Sequence, residues 1–188
     1  MSTLPPVGPQ SSAEALAAFK SIEASRGYVS NLMRCLLHSP DGARAHGAYG
    51  HYLRFGTALT ELQRELVICA TVREVAYGWA HHGGLLRRLG FGDAQMDALK
   101  SGRVPDGLGD GDQALVAYIF AFAACRGLDE ALVARIRRHF SDGQIVDASL
   151  LSAYYLAGGA LIAALRPAIE PPEILAVEQA WQTARPHR

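Results

Sequence analysis

Very little in this chain pairs, repeats or clusters by charge. Its three cysteines, Cys35, Cys69 and Cys125, lie far apart in 188 residues, with no CxxC. An odd count without a pairing pattern speaks against a disulfide framework and for reduced thiols that pack as small hydrophobes. Neither sign of charge prevails: Lys plus Arg and Asp plus Glu number 18 each. With no basic face and no block of like charge, nucleic acid is not an expected partner. The opening residues, MSTLPPVGPQSS, lack the basic and apolar regions of a leader. The longest apolar run, ALVAYIFAFAAC at 114–125, falls short of the roughly 20 residues that span a bilayer. A cytoplasmic protein with no membrane partner is therefore expected. No segment alternates polar and apolar residues with period two, so strands are not expected. There is no GxSxG elbow, and GLGDG at 107–111 follows no strand, as a phosphate loop would.

What the chain does hold is alanine, leucine and helix punctuation, a composition that favours helix. Residues 1–11 are broken by Pro and Gly and read as a mobile segment. The remainder, 12–182, reads as a single all-α domain of about eight to ten helices. Ser12 is placed to cap a helix over 13–24. Val29, Leu32, Met33 and Leu36 follow the i, i+3, i+4, i+7 spacing of one helix face. A third helix is expected over 43–55, and a fourth is capped by Thr60 and runs through TELQRELVICATVREVAYGWAHH. Further helices are expected at 93–100, from Asp112 to 125, after Asp129, within 141–165, and as a short last element before a polar tail. The 145–165 stretch is apolar nearly all round, which predicts burial mid-domain or in a subunit interface.

The chemistry concentrates in YGWAHHGG at 77–84 and the glutamate before it. On a continuous helix Glu74 and His81 differ by about 20° around the axis, and His82 lies about 80° from Glu74. A carboxylate that orients an imidazole fixes its tautomer and raises its basicity, which is an acid–base arrangement. The same rings could instead simply pack at the end of an apolar helix. Gly78 makes a chain break possible, and a break would undo this geometry. His46, His51, His81 and His82 lack the i, i+4 pairing of a helical zinc motif, so no metal is expected.

The segment LTELQRELVICATVREVAYGWAHHGGLLRRLGF at 59–91 resembles the core of the carboxymuconolactone decarboxylase family, which is related to AhpD-type alkylhydroperoxidases. The likeness extends from YVSNLMRCLLH to HFSDGQIVDASLLSAYYLAGG and covers about 25–170. It implies an AhpD-like all-helical fold, a homo-oligomer (commonly a trimer or a hexamer of two trimers) and no cofactor. By the family's motif, Glu65 of "REL" matches its buried acid and His82 its site histidine. Tyr77, Trp79 and His81 match site-lining positions. Two departures matter. The positions of the peroxidases' two cysteines fall on Val75 and Gly78, so thiol peroxidase chemistry lacks its nucleophile. Relatives without cysteines often read "YEW", and Gly78 replaces that glutamate; Glu74 is a candidate substitute. The resemblance implies a cofactor-free lyase on a small organic acid or lactone, with His82 as proton donor, Glu65 or Glu74 its partner, and Arg73 a candidate carboxylate clamp. The alternatives are an AhpD-like antioxidant protein and a non-catalytic ligand-binding or structural oligomer.

Overall fold

The computed structural model describes residues 2–8 and 11–184; of the N-terminal segment, Met1, Pro9 and Gln10 lie outside the described residues. Among these residues there are ten α-helices and no strand. They are α1 (Ala13–Arg26), α2 (Asn31–Leu36), α3 (Pro40–Phe55), α4 (Glu61–Thr71), α5 (Ala76–Arg88), α6 (Asp93–Lys100), α7 (Asp110–Ala123), α8 (Glu130–Arg137), α9 (Asp142–Leu165) and α10 (Pro172–Thr183). The chain divides into two units. Of the described residues, the first holds those up to 56 and 160–184; the second holds 57–159, so α9 contributes to both.

In the first unit, Ser12 caps α1 as its sequence suggested, its hydroxyl accepting from the Ala15 amide at 3.0 Å. Ala15, Ala18 and Ile22 of α1 meet Met33, Leu37 and Ala43 in a small core that Val7 also enters. The N-terminal residues are tied down rather than loose. The Thr3 amide and hydroxyl donate to Leu165 and Ala164 carbonyls at 2.9 and 2.8 Å, and Val7 N–H donates to Arg34 O at 3.0 Å. The reason is local: the last carbonyls of a helix have no partner inside it, and residues 2 and 3 supply donors for those of α9.

The second unit is built around α4. Thr60 and Gln63 form a reciprocal capping box at its start. From Arg64 to Thr71 every residue of α4 is buried, with α5, α6 and α7 packed against it. The single helix expected through 60–82 is in fact two. Val72 N–H still bonds to Ile68 O, but Val75 is extended (φ −102°, ψ 99°) and Val75 N–H turns back to Val72 O at 2.8 Å. Helical periodicity persists on both sides of a short turn, so the hydrophobic pattern alone does not reveal it. The pull is tertiary: only by reversing can α5 lay its own buried face on α4.

The α7 helix begins at Asp110, after Gly109, one turn earlier than an Asp112 cap would put it. Asp129 caps α8 as expected, accepting from Ala131 N at 2.7 Å. The α9 helix is opened by a Ser141–Gln144 capping box. Within the chain it buries one stripe only: Ala148, Leu151, Ser152 and Gly158. Val146 and Leu150 on the other side are exposed, at 54% and 38%. At 24 residues and mean hydropathy 1.6 over its best window, it is long and apolar enough to cross a membrane by length and composition, although no continuous apolar run in the sequence is.

Candidate active site

In one unbroken helix, residues 65 and 82 would lie about 25 Å apart along the axis, at 1.5 Å per residue. The turn at 72–75 removes that separation. With α5 folded back on α4, His82 Nδ1 lies 2.9 Å from Glu65 Oε2. The other ring nitrogen, Nε2, lies 3.0 Å from the hydroxyl of Tyr155 on α9. The tyrosine ring stands nearly perpendicular to the imidazole, at 87° and 5.1 Å between centroids. The Glu65 and His82 side chains are 7% and 6% exposed. Because a carboxylate only accepts, Nδ1 carries the proton that faces Glu65. Nε2 then accepts from the phenol when the ring is neutral and donates to it when the ring is charged. Three helices thus build a continuous carboxylate–imidazole–phenol chain.

The other histidine points elsewhere. His81 is buried and stacks on Tyr77, one turn earlier on α5, at 4.5 Å and 28°. Adjacent helical residues differ by about 100°, so the two histidines cannot serve one face.

Glu74 does not join either of them. It precedes α5, its side chain is 77% exposed, and Arg73 Nη2 donates to it at 2.7 Å. The helical register that would pair Glu74 with His81 is interrupted by the turn. Arg73 also lies over the Phe120 ring at 5.6 Å, and Lys100 lies over Trp79 at 5.6 Å. Arg73, Glu74, Ala76, Trp79, Ala80 and Lys100 line an open groove of about 500 Å³. Ala76, Trp79 and Ala80 form the i, i+3, i+4 stripe of α5; His82 lies about 160° round from Ala80 and about 60° from Trp79, at the edge of that stripe. So Arg73, Glu74 and Trp79 share one surface, while Glu65, His82 and Tyr155 share another place. Of the residues singled out from sequence, the structure brings Glu65 to His82 and Tyr77 to His81, and it sets Arg73, Glu74 and Trp79 on the open groove.

Tyr155 was not among the sequence candidates. Its signal was present: Tyr154 and Tyr155 are adjacent phenols in an otherwise apolar helix. Sequence spacing could not say which of them meets His82.

The thiol nearest this chain is inert. Cys69, one turn beyond Glu65 on α4, is fully buried, and burial, with the nearby Glu65 carboxylate adding to it, pushes its thiol well above the ordinary value. Only Cys125 is exposed. We therefore expect iodoacetamide at mildly alkaline pH to modify Cys125 in the native protein, and Cys69 only after unfolding; peptide mass mapping reads this directly, and rapid native labelling of Cys69 would contradict it. The sign for stability follows. An unfolded thiol ionises from about pH 8.5 upward while the folded one keeps its proton, so the Cys69 contribution is intact below that pH and lost as pH rises beyond it. Among the described residues, no three His, Cys, Asp or Glu side chains are placed to hold a metal ion.

No family model matches the chain, and no curated protein is similar to it in sequence. Its fold does match solved structures. One is the debrominase Bmp8 with 2,3,4-tribromopyrrole, at TM-score 0.74 and 16% identity over 97% of this chain and 98% of that one. A second is an AhpD-core, uncharacterized peroxidase-related protein from Ralstonia eutropha JMP134, at TM-score 0.76 and 20% identity over 95% and 96%. A third is an uncharacterized peroxidase-related protein from Silicibacter sp. TM1040, at 0.72 and 19% over 89% and 90%. The chain has an AhpD-like all-helical fold along nearly its whole length.

Proposed function

We propose that this chain is a cofactor-free acid–base enzyme, a lyase acting on a small organic acid or lactone. The observation that carries the reading is the buried Glu65–His82 pair, completed by Tyr155. Loss of carbon dioxide from a carboxylated, unsaturated lactone breaks a C–C bond and leaves its electron pair as a dienolate. That intermediate needs a proton delivered in a water-poor site. Glu65 holds Nδ1–H and stabilises the charged ring; the far side of the ring delivers the proton.

Peroxidase-related relatives share the fold, so fold likeness favours neither chemistry. What weighs against a peroxidase here is chemical: Val75 and Gly78 replace the dithiol, and the nearest thiol, Cys69, is kept protonated. The exposed apolar side of α9 supports a further part of the reading, that copies of this chain assemble into a trimer or hexamer; a cytoplasmic location without a membrane or nucleic-acid partner is proposed with it.

The purified protein should release carbon dioxide from a carboxylated unsaturated lactone and, in D2O, place one deuterium on the product carbon. It should consume no cumene hydroperoxide in the presence of dithiothreitol. Peroxide consumption that iodoacetamide abolishes would establish the antioxidant reading instead. Saturable binding of lactone acids without any turnover would establish a ligand-binding scaffold. Light scattering on the same sample reads the assembly; a monomer at micromolar concentration would remove the oligomer.

A further inference from the structure

An imidazole has two nitrogens, and in this site both are committed. Nδ1 is held by Glu65 at 2.9 Å and Nε2 by Tyr155 at 3.0 Å, in a histidine that is 4% exposed. A substrate atom could meet His82 only by displacing one of these bonds inside a packed interior. The phenol differs in two respects. Tyr155 is half-buried, so it stands nearer the surface than the pair behind it. A phenol hydroxyl, unlike either imidazole nitrogen, can donate one hydrogen bond and accept another at the same atom.

The backbone of α9 is pinned on both sides of this tyrosine. One turn before it, Ser152, fully buried, shares a 2.8 Å bond with the Thr71 hydroxyl at the end of α4. One turn after it, Gly159 comes so near the α4–α5 turn that a Cβ there would sit 3.4 Å from Val75 Cγ2. The position of Tyr155 is therefore set by the same two helices that carry Glu65 and His82, and not by a loop. Such double anchoring is what a group needs if it must hold a reacting geometry.

We infer that Tyr155 is the catalytic residue that exchanges the proton with the substrate, and that His82 and Glu65 are positioning and charging residues behind it. The inference rests on the acid–base reading above. In the protonating direction, the Tyr155 O–H bond breaks and its proton forms a new bond to the substrate carbon or oxygen. At the same time the proton on Nε2 of the imidazolium moves to the phenol oxygen. His82 ends neutral, Tyr155 ends unchanged, and Glu65 keeps its bond to Nδ1–H throughout; water restores the ring proton after product leaves. In the opposite direction, neutral Nε2 takes the phenol proton as the phenol oxygen takes one from the substrate. The matching substrate class is one whose reaction develops an enolate beside a carbonyl, since a hydroxyl donor can follow that charge as it forms.

The test needs no substrate. N-acetylimidazole at neutral pH acetylates tyrosine oxygens in proportion to how readily they give up their proton, and a group that meets a substrate must also meet so small a reagent. Peptide mass mapping of the whole protein compares Tyr155 with its neighbour Tyr154, whose ring lies 5.5 Å away. Tyr155 should label at least ~10-fold faster than Tyr154, with the excess lost in His82→Gln and reduced in Glu65→Gln, as general-base assistance requires. Glu65→Gln, which keeps the side-chain volume, serves if His82→Gln does not fold. Equal labelling of the two tyrosines, a Tyr155 excess that survives both substitutions, or no labelling of Tyr155 would each overturn the inference. The outcomes separate from those of the enzyme reading. Lactone turnover retained in Tyr155→Phe leaves the lyase standing and removes Tyr155 as its proton donor. A reactive Tyr155 in a protein that turns over no lactone leaves the relay standing and removes that substrate class.

Discussion

Replacing His82 by alanine lowers the unfolding free energy by about 3–5 kcal/mol, because it leaves a buried carboxylate without the partner that offsets its desolvation. The pair is under a tenth exposed on both sides, so solvent does little to screen it. The cost belongs to breaking the pair and not to the pair's net worth. The double replacement Glu65→Leu/His82→Phe should therefore recover most of the loss, since well-packed apolar residues of similar volume often match a buried polar pair. Urea unfolding of the parent, the two single variants and the double variant forms a complete cycle. A His82→Ala protein as stable as the parent would show that Glu65 and His82 do not meet as described. On the activity side, His82→Gln, measured in folded protein, should cut lactone turnover by about 10²–10⁴-fold, the usual contribution of a positioned acid–base group. Full turnover in that variant would remove His82 from the chemistry, with or without Tyr155 in front of it.

Placing a glutamate at position 78, before Trp79, should unfold this chain. Gly78 is buried in α5, and a Cβ built on it would sit 2.9 Å from both Cβ and Cγ2 of Val72. Real Cβ atoms do not approach so closely, and a valine has no flexible end to swing away. In an open helix Gly→Ala would gain about 1 kcal/mol. Here we expect Gly78→Ala to cost about 1–3 kcal/mol through overpacking, so the clash outweighs the propensity. Gly78→Glu adds an ionised group in a buried position and should cost several kcal/mol more, enough to abolish cooperative folding. Val72→Ala combined with Gly78→Ala should return only part of the loss, because it removes Cγ1 and Cγ2 but leaves the Val72 Cβ at 2.9 Å. Thermal melts of these three variants decide it; a Gly78→Ala protein that melts at or above the parent temperature would contradict the packing described here. Gly78 thus has a structural use: it lets α5 pass close over Val72, the last residue before the chain turns.

The fold class was legible because helices advertise themselves by period and by caps. Thr60, Asp129 and the apolar spacing of α2 marked elements that the structure contains. The pairing of Glu65 with His82 was legible only through likeness to the "REL" and "WAHH" pattern of a known family. Nothing in the spacing of residues 65 and 82 brings them together until the chain reverses. The competing choice, Glu74 with His81, followed correctly from helical geometry but assumed an unbroken helix. Its failure has one cause, the turn at 72–75. The same turn set Arg73 and Trp79 on the groove beside Lys100. The α9 helix shows the complementary limit. Its apolar composition implied burial in the domain or in a subunit interface; within the chain Ala148, Leu151, Ser152 and Gly158 are buried, while Val146 and Leu150 are exposed.

By itself, then, the sequence determined an all-helical chain, the ends of several helices, the absence of a dithiol, and which residue types were at hand for proton transfer. These are local properties, set by propensity, periodicity and capping over a turn or two. Only the tertiary structure decided that Glu65, His82 and Tyr155 form one chain of bonds, that Glu74 stands outside it, and that Gly78 admits no side chain. The first of these joins residues 17 to 90 positions apart, and all depend on where one reversal directs α5. Local preferences are indifferent to such distances; packing against α4 is not.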